Sequence, residues 1–107
     1  MNKVILLGYV GCDPRMRFVE GRPVAEFSLA TTERARKTAA GTEVPALTEW
    51  HNIVMWDHSA EFAEKYIRKG TRLLVEGKIR TRVWQDHNAI KRNTTEIYVD
   101  TFEVFPR

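Results

Sequence analysis

Along most of this chain apolar and polar residues change places every second position, the mark of strands covered on one face. Over residues 24–32, Ala25, Phe27 and Leu29 fall on one side and Glu26 and Ser28 on the other. Residues 3–10 depart from this pattern. They are apolar almost throughout, which predicts a strand covered on both faces. Gly11, Asp13 and Pro14 end that run with turn chemistry. Met16-Arg17-Phe18-Val19 predicts a short extended stretch, and Glu20-Gly21-Arg22-Pro23 a hairpin turn. Residues 33–47 hold no sustained period and contain Gly41 and Pro45, so a long mobile loop carrying Arg34, Arg36 and Lys37 is expected. Residues 48–56 form the next strand. Helical spacing occurs once, where Phe62, Ala63, Tyr66 and Ile67 share a face. Asp57 or Ser59 caps that helix, Glu61 lies in its first turn, Arg68 and Lys69 suit its end, and Gly70 stops it. Residues 71–84 predict a long strand, 85–93 a polar loop and 94–105 the last strand.

The resulting order is three strands, a helix and two strands. It is the chain order of an OB-fold, an all-β, five-stranded Greek-key barrel with one α-helix between the third and fourth strands. Evenly spaced strands also suit a sandwich, and the single helix at that place favours the barrel. A length of 107 residues suits one domain spanning 1–107, and 43% hydrophobic with 29% charged residues builds a core without metal or disulfide. Cys12 is the only cysteine and reads as a small apolar filler in a reducing compartment. The apolar start is too short for a signal peptide and lacks a cleavage site, and no run approaches the roughly 20 residues of a membrane span. A soluble, cytoplasmic, nucleoid-associated protein is therefore expected. Lys and Arg number 17 against 14 acids, a net charge of +3 that permits a nucleic-acid partner without requiring one.

Position decides more than total charge. On residues 73–84, Leu73, Val75, Gly77, Ile79, Thr81 and Val83 form a face fit for a core. The other face runs Glu76, Lys78, Arg80, Arg82 and Trp84. A solvated polar face accounts for the charges, but not for a large ring closing the row. Residues 48–56 repeat the oddity, with Trp50, Asn52, Val54 and Trp56 on one face and His51, Ile53 and Met55 on the other. Alone, that strand also allows both tryptophans to face the core, because Trp is usually well buried. The two strands together offer cations to follow phosphates and flat rings on which any base stacks, which is what sequence-tolerant single-strand binding requires. Such stacking is worth roughly 1–3 kcal/mol per base, and Arg adds cation–π contact. Duplex readout would need a recognition helix, and the one helix here has an ordinary core-facing stripe.

Several motifs also carry a family resemblance. Thr48-Glu49-Trp50-His51-Asn52-Ile53-Val54-Met55-Trp56 resembles the TEWHRVVxF signature of bacterial single-stranded DNA-binding proteins. Tyr66-Ile67-Arg68-Lys69-Gly70, Val75-Glu76-Gly77 and Arg80-Thr81-Arg82-Val83-Trp84-Gln85-Asp86 resemble three further segments in the same order. The resemblance runs along essentially the whole chain. It implies an OB-fold homotetramer, with a dimer as the alternative, that binds and protects single-stranded DNA in replication, recombination and repair. It places Trp50 and Trp84 at stacking tryptophan positions, Trp56 where the family usually has Phe, and Phe18 at an aromatic position. Lys3, Arg17, Lys69, Arg80, Arg82 and Arg92 match basic positions near the DNA path. His51 matches a histidine of oligomer contacts, and the first strand, with Val4 and Leu6, suits subunit pairing.

The chain also departs from the family. Asn52 and Val83 stand where basic residues are usual, His58 and Ser59 replace a Gly-Lys-Leu type stretch, and Ala35 replaces a loop tryptophan of some members. Each change removes a cation or a ring, so weaker or shorter-range binding than a typical member's is expected. The sequence ends Val104-Phe105-Pro106-Arg107 without the family's acidic tail, so tail-mediated recruitment of replication and repair proteins is not expected of these residues. The rival reading is a primosome-type OB-fold adaptor that uses the same face for protein contact and binds DNA weakly. No enzyme, cofactor or metal site is expected. Asp57-His58-Ser59 are immediate neighbours that cannot relay a proton, and His51, His58 and His87 lack metal-ligand spacing.

Overall fold

The computed structural model describes residues 1–106. The period-two runs form β1 (Val4–Val10), β2 (Arg15–Val19), β3 (Arg22–Glu33), β6 (Leu47–Trp56), β7 (Arg72–Gln85) and β8 (Lys91–Phe105). Two short strands, β4 (Arg36–Lys37) and β5 (Glu43–Val44), lie between β3 and β6, and α1 (His58–Tyr66) lies between β6 and β7. Neighbouring strands follow the order β1-β7-β8-β6-β3-β2, and β1 also meets β3 at Tyr9↔Ala30 and Val10↔Leu29. That last pairing closes a five-stranded barrel of β1, β3, β6, β7 and β8. The helix follows the third of these strands and precedes the fourth, as an OB-fold requires. Only β6 and β8 run parallel, with Asn52↔Glu96, Ile53↔Ile97 and Val54↔Tyr98 in register. In the hairpin turn between β2 and β3, Glu20 and Gly21 both take positive φ (50° and 78°), the pair a type I′ turn needs.

The core is the inward set of the alternating strands closed by the helix: Ala25, Phe27 and Leu29 of β3, Ile53 and Met55 of β6, Leu73 and Val75 of β7, with Ala60, Ala63 and Ile67. Five expectations change. Ile79 and Val83 are 46% and 64% exposed, because beyond Gly77 β7 pairs only with β8 and their hairpin runs past the barrel wall. Residues 33–47 are not a featureless loop: β3 and β6 stay paired to Glu33↔Leu47, and β4 pairs with β5 beyond. The predicted loop at 85–93 shrinks in the same way, since Gln85 already pairs with Lys91. Tyr66 is exposed, because the helical stripe that meets the core is Ala60, Ala63 and Ile67, with Phe62 packed beside it. Finally, β1 is covered on one side only. Val4 and Leu6 pack on the core, whereas Ile5, Leu7 and Tyr9 face outward.

Candidate nucleic-acid interface

The outward residues of β6, β8 and β7 meet as one wall. Register puts Asn52 beside Glu96 and Val54 beside Tyr98 across the parallel pair. It then puts Arg82 beside Thr94, Arg80 beside Glu96, and Lys78 beside Tyr98 across the antiparallel one. The predicted rows of the two strands are therefore one surface, joined through β8. Three clefts follow each other along it. The first, of about 410 Å³, is lined by Trp50, Asn52, Asn93 and Thr94. The second, of about 290 Å³, lies among Arg15, Glu26, Ser28, Asn52, Arg82 and Glu96. The third, of about 480 Å³, lies among Arg22, Trp56, Lys78, Arg80 and Tyr98.

The three tryptophans occupy different settings. Trp50 is 62% exposed, and its ring lies over Gly11, where an added Cβ would come within 2.3 Å of it. A glycine there is what lets the ring lie close against the backbone. Trp84 is 40% exposed and its indole N–H donates to Thr94 Oγ1 at 2.8 Å, so the ring is tethered at the edge of the first cleft. Trp56 is half-buried. The Arg22 guanidinium carbon sits 4.6 Å from its ring centroid, and Tyr98 lies 6.4 Å away. Its buried Nε1 has no hydrogen-bond partner among the described residues.

Most cations of the wall are already held by acids. Arg82 Nε reaches Glu96 Oε1 at 3.3 Å, and Glu96 itself is only 3% exposed. A buried carboxylate needs such a partner, so Arg82 is oriented as well as charged. Arg17 and Arg15 both bond Glu26, and their hydrogen bonds and charges outweigh burial, leaving its pKa below the ordinary carboxylate value. Lys78 meets Asp100 at 3.6 Å, and Arg92 meets Asp86 at 3.0 Å. Asp86 is itself held below its ordinary pKa, first by the backbone N–H of Ile90 and then by Arg92 and the N–H of Asn88. Arg80 instead lies 5.6 Å over the Tyr98 ring. Lys3 pairs with Glu76 at 2.7 Å, and that hydrogen bond raises its pKa.

Trp50, Trp56, Trp84, Lys78, Arg80, Arg82 and Arg92 thus come together through β6, β7 and β8. Arg17 joins them through Glu26. Phe18 is 72% exposed, but it alternates with Arg17 and shares the side of Met16, away from the Glu26 pair. Lys69 lies on the connector after α1, where its backbone N–H donates to Asp13. His51 faces inward, its Nε2 at 2.8 Å from Thr31 Oγ1. Asp57, expected as a helix cap, makes no side-chain cap bond. Its carboxylate takes Arg22 bidentately, Nε to Oδ1 at 3.0 Å and Nη2 to Oδ2 at 2.6 Å. Arg22, Asp57, Gly11 and Tyr98 are the residues that sequence reasoning missed. Tyr98 alternates with Ile97 and Val99, so strand parity carried a signal, but its face had no meaning before the β8 register was known.

Comparison with known proteins bears on the family and the fold. The sequence model described as the single-strand binding protein family matches residues 1–105. A single-stranded DNA-binding protein of Bacteroides thetaiotaomicron is 50% identical over 105 residues, covering 97% of this chain, and the chain spans 65% of that relative's length. A solved structure titled "Plasmodium falciparum SSB complex with ssDNA" superposes with a TM-score of 0.87 at 35% identity, covering 99% of this chain and 96% of that one.

Proposed function

Since the chain belongs to the single-strand binding protein family, we propose that it binds single-stranded DNA without sequence preference on the β6–β8–β7 wall and protects it during replication, recombination and repair. The observation that carries this reading is the pair of exposed rings, Trp50 and Trp84, set on a wall that also presents Arg80 and Arg82. Trp in water has a cost that a monomer does not accept without use, and each ring can take a base. From Trp50 to Trp56 the strand rises roughly 20 Å, room for a few nucleotides in extended form. The acid-paired arginines are pre-oriented, so phosphates would exchange with carboxylates rather than order free side chains. Binding of this kind weakens as salt rises, since it releases counterions.

The test is titration with oligo-dT followed by tryptophan fluorescence at several salt concentrations. Quenching that shifts to higher DNA concentration with added salt is expected. No quenching, together with no retention on single-stranded DNA at low salt, would sink the reading.

The same proposal extends to self-association. Ile5, Leu7 and Tyr9 are 61%, 44% and 57% exposed on one side of β1, beside the half-buried Leu74. Over Val4–Leu7 the strand edge away from β7 has no ladder partner among the described residues. An apolar face next to an open edge favours pairing with a second copy, first as a dimer and then as a tetramer. Light scattering of the protein, alone and with oligo-dT, measures this, and a concentration-independent monomer would rule it out. Among the described residues no helix is long and apolar enough to cross a membrane, and the reading places the protein with the nucleoid in the cytoplasm.

A further inference from the structure

We infer that Arg22, held over the Trp56 ring by Asp57, forms the stacking wall of a separate nucleotide subsite at the Trp56 end of the interface, with Lys78 and Arg80 opposite it for the phosphate. The inference deepens the DNA-binding reading and rests on it. Three observations carry it. First, Asp57 takes up Nε and Nη2 of Arg22. One edge of the guanidinium is therefore committed, which restrains its orientation and leaves a nucleotide the flat face and the Nη1 edge. Arg stacks on aromatic rings through that face in a way Lys cannot. Second, Asp57 holds this post at local expense. Its φ and ψ of 57° and −123° belong to glycine territory, and it begins α1 without a side-chain cap bond. Strained residues of this kind persist where the surroundings over-determine them, commonly at ligand sites. Third, the cleft beside the pair holds about 480 Å³ and is bounded by Arg22 and Trp56 on one side and by Lys78, Arg80 and Tyr98 on the other. It has room for a base and its sugar-phosphate.

The chemistry within the cleft is divided. Arg22, Trp56, Tyr98 and Arg80 form a cation–ring–ring–cation series, with separations of 4.6, 6.4 and 5.6 Å. A base of any identity finds a π or guanidinium plane there, with no edge selected. Among the described residues Lys78 is held by Asp100 at 3.6 Å, the longest ion pair, and Arg80 lies over the Tyr98 ring with no ion pair, so these two cations are the most readily transferred to a phosphate.

The test measures affinity for a fluorescein-labelled dT oligomer by anisotropy at fixed salt, with thermal unfolding of each variant alongside. Arg22→Ala is expected to weaken binding about fivefold or more. Arg22→Lys keeps the charge and loses the plane, and is expected to weaken binding nearly as much. Asp57→Asn is the decisive arm. It adds one unit of positive charge, so simple electrostatics predicts tighter binding, whereas loss of the Arg22 anchor predicts weaker binding, by about threefold. Wild-type affinity in Arg22→Lys, or tighter binding in Asp57→Asn, overturns the inference while the DNA-binding reading stands. Tighter binding in Arg22→Ala overturns it too, by making Arg22 an obstruction. Failure of the wild type to bind removes both readings. As a second readout, a Trp50→Phe, Trp84→Phe background leaves Trp56 as the only indole. Its quenching by saturating dT is expected, and its absence counts against the subsite.

Discussion

Trp50 and Trp56 stand on the same side of one strand, yet they are built into opposite kinds of site. Trp50 lies open over Gly11, with a cleft in front of it and, among the described residues, no cation stacked on its ring. Trp56 is half-buried, covered by Arg22 and flanked by Tyr98. The difference lies in the neighbours that each end of β6 meets. At the Trp50 end the floor is a glycine, and nothing competes with a base for the ring. At the Trp56 end the start of β3 and the start of α1 converge, and Arg22 and Asp57 lock together over the ring. One end offers a bare surface and the other a furnished one, so identical residues on one face need not do identical work.

The largest expected separation is in stability. Trp56→Ala should cost about 2–3 kcal/mol, because it removes a large, partly buried ring together with its Arg22 and Tyr98 contacts. Trp50→Ala should change stability by less than about 0.5 kcal/mol, as an exposed ring does. Urea unfolding of both variants measures this, and equal losses would erase the contrast.

For the two exposed rings the effect should fall on affinity and not on stability. Trp50→Ala and Trp84→Ala are each expected to lose about 1–2 kcal/mol of binding to dT oligomers with folding intact. If either variant loses its melting temperature and keeps its affinity, that ring belongs to the fold and not to the interface.

A smaller effect tests the glycine floor. Gly11→Ala puts a methyl 2.3 Å from the present position of the Trp50 ring, which has to tilt away. A loss of about 1 kcal/mol in affinity is expected, with a changed Trp50 emission and no comparable change at Trp56. Single-tryptophan backgrounds resolve the two signals.

The smallest effect is the response to acid. The hydrogen bond and charge of Arg22 lower the pKa of Asp57 from its ordinary value of 3.8. A carboxylate whose folded pKa is depressed adds stability that is present above its unfolded pKa and lost as pH falls through the folded one. The Trp56 end should therefore loosen below about pH 4, while the Trp50 end holds no acid paired to its ring. Trp56 emission should follow that titration, and Asp57→Asn should flatten it.

Much of this could be read from residue order. The alternation of Ala25, Phe27 and Leu29 against Glu26 and Ser28 and the Glu20-Gly21 turn depend on local geometry and formed as read; the helix after Trp56 also formed, with Ala63 inward as read but Tyr66 outward. The face of Lys78, Arg80, Arg82 and Trp84 was legible for the same reason, since parity along a strand is a property of the strand alone. What failed were some statements about what covers a face. Ile79 and Val83 have core parity but no core beside them, because the β7–β8 hairpin leaves the barrel. Val4 and Leu6 were read as contact residues and pack inward, leaving Ile5, Leu7 and Tyr9 outside. Asp57 has a capping residue's identity, but a guanidinium from the start of β3 claims its carboxylate.

By itself, then, the sequence determined which residues share a side of each strand, where the chain turns, and that rings and cations fall on common sides. Those facts follow from the two-residue period of the backbone and the φ preferences of a few residues. Only the tertiary structure decided that β6 and β8 lie side by side and in which register, bringing Tyr98 to Trp56 and Thr94 into the cleft of Trp50. It alone decided that Arg22 meets Asp57 across the fold. Such contacts arise from closing the barrel, a cooperative packing of distant segments that local pattern does not encode.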